Sequence, residues 1–268
     1  LIYAYKIFLA GIFCIFLEVS FPVPYSAKDA AASGKLDVYR YDEETKIWKA
    51  MGGTYDAPTN AIIFTTDHLS KYALMERTAP PIKTFIDIEG HWAQSDIEVM
   101  AGLGIVLGIS EDIFAPEMPV SRAEFAAFLI RSLDIEEVSP ATPHFKDVQP
   151  GAWYYGTVEG AYAAGLINGY EDGTFRPEQE ITREEMAALI VRALKYAGQE
   201  VIVDDVDAIL ARFEDASKIS PWAKEEAAQA VASGIIIGRD GLFAPKDNAT
   251  RAEAVVMLKR MLVKLGVI

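Results

Sequence analysis

Cysteine is nearly absent: the single Cys14 excludes an intramolecular disulfide and any cysteine-based metal centre. Histidine is scarce as well. His68, His91 and His144 stand apart in sequence without a partner at ligand spacing, so each reads as a surface or capping side chain and no metal site is expected. Basic residues are in deficit, with 25 Lys and Arg against 39 Asp and Glu and a formal charge of −14. That is the wrong sign for gripping a phosphate backbone, so no nucleic-acid partner is expected. Neither a nucleophile elbow, a P-loop nor a zinc signature occurs, so no catalytic residue and no cofactor is assigned and the chain does not read as an enzyme. The neighbouring carboxylates Asp204-Asp205 and Glu184-Glu185 read as solvated linker or helix-face charges. The stretch "NGYEDGTFRPEQ" is not a calcium loop, because Tyr170 occupies a ligand position and the twelfth residue is Gln179.

Apolar residues, in contrast, make up 51% of the 268 positions, enough for a real core spread over one to three domains. In residues 1–33, one charge, Lys6, precedes an apolar run from Ile7 to Leu17, which has signal-peptide length and is short for a membrane span. Three readings stay open for this segment: a secretory signal cleaved near Ala30–Ala32, a remnant of a longer chain that would explain an opening Leu in place of Met, or a membrane anchor. Residues 34–77 read as strands, "KLDVYRYD", "KIWKAM", "NAIIFTT" and "KYALME", separated by turn clusters such as "DAPTN". Four short strands cannot close a sandwich, so the segment is expected to be incomplete. Residues 78–84, "TAPPIKT", form a proline-stiffened linker.

From Phe85 onward the sequence repeats itself three times. Each copy opens on Phe-x-Asp, giving Asp87, Asp147 and Asp215, and continues to a tryptophan, Trp92, Trp153 or Trp222. Twelve residues later comes a glycine (Gly104, Gly165, Gly234), and four after that another (Gly108, Gly169, Gly238). Phe-x-Pro follows, and eight residues past each Phe stand Arg122, Arg183 and Arg251. Each copy is predicted to be helix, loop, helix. The first helix stops at a glycine free to adopt the left-handed conformation. The second starts at a capping box, Ser121 with Glu124, Thr182 with Glu185, and Thr250 with Glu253. Val120 with Phe125 and Ile181 with Met186 provide hydrophobic staples, whereas Ala249 with Ala254 provides a feeble one. A unit of this size buries little alone, so the copies are expected to pack on one another.

The arginines pose a question. A cation in the first helical turn faces the positive end of the helix dipole and costs about 0.3 to 1 kcal/mol. Its presence in all three copies, beside helix N–H groups that favour anions, reads as an anion-binding cluster. The alternative is an ion pair with a nearby carboxylate, for instance the Asp of Phe-x-Asp. The tryptophans read either as core aromatics or as faces for sugar C–H groups. Trp, Asp and Arg together supply what a carbohydrate site uses: a ring face, a hydroxyl acceptor, and a planar fork for a carboxylate.

"FIDIEGHWAQSDIEVMAGLGIVLG", "FAPEMPVSRAEFAAFLIRSL" and their two successors resemble three tandem S-layer homology domains, at residues 85–133, 145–194 and 213–262. "TTDHLSKYALME" resembles the last strands of the β-sandwich that often precedes such repeats. The implied fold is mainly α, a pseudo-threefold bundle of helix-loop-helix repeats preceded by the incomplete strand segment. The implied function is non-catalytic attachment of a secreted surface protein to the wall of a Gram-positive-type envelope. The implied partner is an anionic, pyruvylated secondary wall polysaccharide held in grooves between repeats. Carried over by motif, Arg122, Arg183 and Arg251 meet its carboxylates, while the three tryptophans and Asp87, Asp147 and Asp215 shape the grooves. A competing reading is a protein-interaction module that docks neighbouring surface proteins or builds a lattice. Departures in all three copies bear on this. The first copy has "SRAE" and its connection "ISEDIFAP" lacks a glycine, the second has "TREE", which sets Glu184 beside Arg183, and the third connection is one residue shorter.

Overall fold

A computed structural model describes residues 3–6, 17–41, 48–66, 70–76 and 82–268. Cys14, His68, the apolar run 7–16 and linker residues 78–81 lie outside the described residues. The chain divides into two compact units, Leu1–Ala79 with Leu265–Ile268, and Pro80–Lys264. No helix among the described residues is long and apolar enough to cross a membrane.

The first unit is antiparallel β. Its described strands are β1 (Tyr3–Lys6), β2 (Leu17–Pro22), β3 (Leu36–Tyr41), β4 (Trp48–Gly52), β5 (Thr54–Asp56), β6 (Ala61–Thr66) and β7 (Lys71–Glu76), with a short helix α1 (Lys28–Ala32) before β3. One sheet runs in the order β1-β7-β3-β4 and the other β2-β6-β5. In β6 the two-residue period buries Ile62, Phe64 and Thr66 and leaves Thr65 exposed. Phe21, Leu36, Val38, Tyr72 and Leu74 complete the core with Ile62 and Phe64. The strand unit thus takes in residues ahead of position 34. β1 pairs with β7, Tyr5 opposite Tyr72, and β2 pairs with β6, Phe21 opposite Ile62. In "LEVSFP" the apolar Val19 and Phe21 alternate with Glu18 and Ser20, a strand signal hidden by the apolar run that precedes it.

The second unit is mainly helical: α2 (Gln94–Gly102), α3 (Arg122–Ser132), α4 (Tyr155–Ala163), α5 (Arg183–Tyr196), α6 (Val206–Leu210), α7 (Lys224–Ala232) and α8 (Arg251–Lys264). The pairs α2/α3, α4/α5 and α7/α8 are the three repeats, and α6 sits in the second connecting segment. Gly104, Gly165 and Gly234 end the first helices at φ 73°, 70° and 76°, where a Cβ would be strained. Gly169 is needed for another reason. A Cβ there would lie 2.5 Å from Cε1 of Phe145 and 2.6 Å from Thr174 O, and Gly108 and Gly238 lie as close to Phe85 and Phe213. The Phe of Phe-x-Asp therefore packs closely against the loop of its own repeat.

The capping boxes form as the sequence predicts, with Glu124 N bonded to Ser121 Oγ and Glu185 N to Thr182 Oγ1. Arg122 N donates to Gln179 O (2.9 Å), Arg183 N to Asp247 O (3.0 Å) and Arg251 N to Met118 O (2.9 Å). Ala123 N, Glu184 N and Ala252 N donate likewise to Pro177 O, Pro245 O and Pro116 O. The first amides of each second helix are thus satisfied by the next repeat, with the third returning to the first. The N–H groups expected to attract an anion are already occupied.

Candidate functional site

The Phe-x-Pro turn is the first element of the site. Asp87 accepts from Phe114 N (2.9 Å) and Ala115 N (2.6 Å), Asp147 from Phe175 N and Arg176 N, and Asp215 from Phe243 N and Ala244 N. The residue after each Phe has positive φ, 60° at Ala115, 59° at Arg176 and 54° at Ala244, although none is glycine. Each carboxylate fork holds a strained turn in place. The aspartates therefore act on their own backbone and do not pair with the arginines.

Those turns present carbonyls to the arginines. Nε of Arg122, Arg183 and Arg251 donates to Phe175 O (2.9 Å), Phe243 O (2.8 Å) and Phe114 O (3.0 Å), always in the next repeat. Nη1 of each then pairs with the capping-box glutamate of that same repeat: Glu185 at 2.8 Å, Glu253 at 2.6 Å and Glu124 at 2.7 Å. All three guanidinium groups are buried. Burial pushes the pKa of Arg183 and Arg251 below the usual arginine value, and the facing Glu253 and Glu124 oppose that shift. The third nitrogen distinguishes the copies. Nη2 of Arg251 donates to Leu107 O (2.6 Å), just ahead of the connection that lacks a glycine, whereas Nη2 of Arg122 and of Arg183 has no hydrogen-bond partner among the described residues. Glu184, the extra carboxylate of "TREE", turns away from Arg183. It is buried and accepts from Ser220 N (3.0 Å), Ser220 Oγ (2.9 Å) and Lys246 Nζ (2.5 Å).

Trp92, Trp153 and Trp222 are 64%, 57% and 54% exposed, which removes the core-aromatic reading for all three. Trp92 and Arg183 come together in a hollow of 350 Å³ that also takes in Glu117, Ile237, Arg239, Thr250, Glu253 and Arg260. Three repeats contribute to it. Arg183 lines it beside its partner Glu253, and Arg239 pairs with Asp247 and approaches Glu253 at 3.5 Å. The hollow joins an exposed aromatic ring to three guanidinium groups, which together can pack apolar C–H groups and donate to an anion. Arg122, Arg251, Trp153, Trp222 and the three aspartates do not line it.

Sequence reasoning missed Arg239 and Arg260. Arg260 had a signal. It stands nine residues after Arg251, as Arg131 and Arg192 stand nine after Arg122 and Arg183, a recurrence as regular as the earlier landmarks. Arg239 had none, because the equivalent positions carry Ile109 and Tyr170. No cluster of three or more potential metal ligands occurs among the described residues.

The family model for the S-layer homology domain matches residues 84–126, 144–187 and 212–255. An amylopullulanase of Thermoanaerobacterium thermosulfurigenes is 40% identical over 87% of this chain and 12% of its own length. Exoglucanase XynX of Acetivibrio thermocellus is 40% identical over 68% of this chain and 16% of its own, and the S-layer protein sap of Bacillus anthracis 34% identical over 64% and 20%. The chain thus spans between about an eighth and a fifth of these curated relatives.

Proposed function

Because the chain carries three tandem S-layer homology domains, and is on that account a secreted protein of the cell surface and wall, we propose that Pro80–Lys264 is a non-catalytic anchor for an anionic, pyruvylated secondary wall polysaccharide. The anchored body is further sequence of a larger surface protein. The three repeats, 85–133, 145–194 and 213–262, act as a pseudo-threefold bundle. The head-to-tail bonds that return from the third repeat to the first support that arrangement. A sugar carboxylate meets Nη2 of Arg183 and the forks of Arg239 and Arg260, and the pyranose C–H face lies on Trp92. The aspartates shape the grooves by fixing the turns whose carbonyls hold the arginines.

The observation that carries this reading is the exposed Trp92 beside an incompletely bonded, buried Arg183 in a chain of charge −14. Long-range attraction for a polyanion is absent, but screening within about 8 Å in physiological salt lets local geometry decide. One groove of this size binds at about micromolar to millimolar strength, and several grooves on one polymer add avidity.

The test is sedimentation of the full chain with purified Gram-positive walls before and after hydrofluoric-acid extraction of the secondary polysaccharide. The Trp92→Ala, Trp153→Ala, Trp222→Ala triple variant runs alongside. The rings are exposed, so the variant folds, and it is expected to lose wall binding as completely as extraction removes it. Binding that survives extraction would instead assign the repeats to a protein partner.

A further inference from the structure

A second hollow, of 380 Å³, is lined by Asp96, Ser233, Gly234, Lys259, Arg260, Val263 and Lys264. Arg260 lines both this hollow and the one against Trp92 and Arg183. We infer that the two form one track with two anionic-sugar subsites, so that the Arg183 groove holds two successive charged units of the same polymer. This rests on reading that groove as the polysaccharide site and extends it to a residue set outside the repeated motifs.

Three observations carry it. First, the cations are peculiar to this groove. Lys259 stands where the other repeats have Ile130 and Val191, and Lys264 where they have Ile135 and Tyr196, so two positions elsewhere apolar or aromatic have become cationic beside one hollow. Second, the acids lining the track are already engaged. Asp96 accepts from Lys259 Nζ (2.6 Å), Glu253 from Arg183 Nη1 (2.6 Å) and Glu117 from His91 Nε2 (2.7 Å). Among the described residues, exposed Lys264 has no partner, and Arg260 spends one N–H on Ile235 O (3.0 Å) and keeps the rest. Third, the local charge reverses that of the chain. Five cations, Arg183, Arg239, Lys259, Arg260 and Lys264, face three acids across the two hollows of a protein whose net charge is −14. Such a strip favours a ligand with charges repeated along its length over one with a single charge.

The test is calorimetric titration of the full chain with size-fractionated fragments of pyruvylated wall polysaccharide, one repeat unit and two repeat units long. The wild type is expected to bind the two-unit fragment about tenfold more tightly than the one-unit fragment, beyond the roughly twofold gain from two equivalent registers, and to lose that gain in high salt. Lys264→Glu, an exposed change that leaves folding intact, is expected to weaken the two-unit fragment about fivefold and leave the one-unit fragment unchanged. A gain no larger than the register factor, or one that Lys264→Glu and Lys259→Gln both leave intact, overturns the second subsite. Failure of the wild type to bind either fragment overturns the underlying polysaccharide reading instead.

Discussion

Replacing Arg251 with alanine tests whether the arginines hold the repeats together. In the folded chain its guanidinium is 2% exposed and makes three bonds, to Phe114 O, Leu107 O and Glu124 Oε1, at 3.0, 2.6 and 2.7 Å. Removing it leaves two carbonyls and one carboxylate oxygen without their donor. Breaking a buried ion pair from one side costs about 3 to 5 kcal/mol. The Glu124 side chain is 24% exposed, so water recovers part of its solvation, and the lower end, about 3 kcal/mol, is expected. For a unit the size of Pro80–Lys264 that lowers Tm by about 6 to 12 °C. The companion change is Glu124→Gln, which keeps a cap for Ser121 N and removes the charge. It should cost about 1 to 2 kcal/mol in the wild type and almost nothing once Arg251 is alanine, a coupling of about 1 to 2 kcal/mol. Urea unfolding of the four chains of this cycle, followed by far-UV circular dichroism of the helical unit, measures all three quantities. A loss below about 1 kcal/mol for Arg251→Ala, or an equal cost of Glu124→Gln in both backgrounds, would refute the pinning role.

Gly169→Ala puts a methyl against the Phe145 ring and Thr174 O and should cost about 1 to 3 kcal/mol through overpacking; an unchanged Tm would show that the ring shifts freely. Asp147→Asn turns an amide NH2 toward one of the two backbone N–H groups that the carboxylate now receives, and is expected to lose about 1 to 3 kcal/mol in urea unfolding. Bonds from Thr174 and Arg176 hold the Asp172 carboxyl down to about 2, below its usual 3.8. Its folded value lies below the unfolded one, so the stabilisation is complete above pH 3.8 and is lost as pH falls toward 2. A carbon-detected NMR titration should show this midpoint rising in Thr174→Val, and an ordinary midpoint in the wild type would remove the bonds as its cause.

Local signals were legible because their physics is local. The left-handed glycines and the capping boxes follow from a few neighbouring residues, and each occurs where the sequence places it. The arginine partners were not legible in this way. Arg122 finds Glu185 across 63 positions and Arg251 finds Glu124 across 127, pairings that exist only once one repeat has docked on another. The ion-pair alternative named a carboxylate of Phe-x-Asp, but Asp87, Asp147 and Asp215 are consumed by their own turns. The tryptophans could be read as buried or exposed because amphipathic periodicity is weak where a turn enters a helix. In the first unit, β1 and β2 were obscured by an apolar stretch whose length reads as a signal core, which drew attention from the alternation after it.

The cost of an arginine at the head of a helix is offset by a carboxylate that serves two repeats. Glu124 Oε2 accepts from Ser121 N (2.9 Å) and caps its own helix, while Oε1 receives Arg251. Glu185 divides in the same way between Thr182 N and Arg122, and Glu253 between Thr250 N and Arg183. The four-residue run from cap to glutamate therefore encodes a helix start and, at the same time, the joint to the preceding repeat. Two nitrogens of each guanidinium are spent on that joint, and the third decides what else the residue can do. In Arg251 it is closed by Leu107 O, whereas in Arg183 it remains available in a hollow beside Trp92. A guanidinium already fixed by two bonds loses little freedom when it meets a ligand, so its last donor contributes more to affinity than that of a mobile surface arginine. On the proposed polysaccharide reading, assembly and recognition thus draw on the same side chain. The binding role proposed for Arg183 is consequently best tested at Trp92 and Lys264, which line the two hollows and make no bond in the joint between repeats.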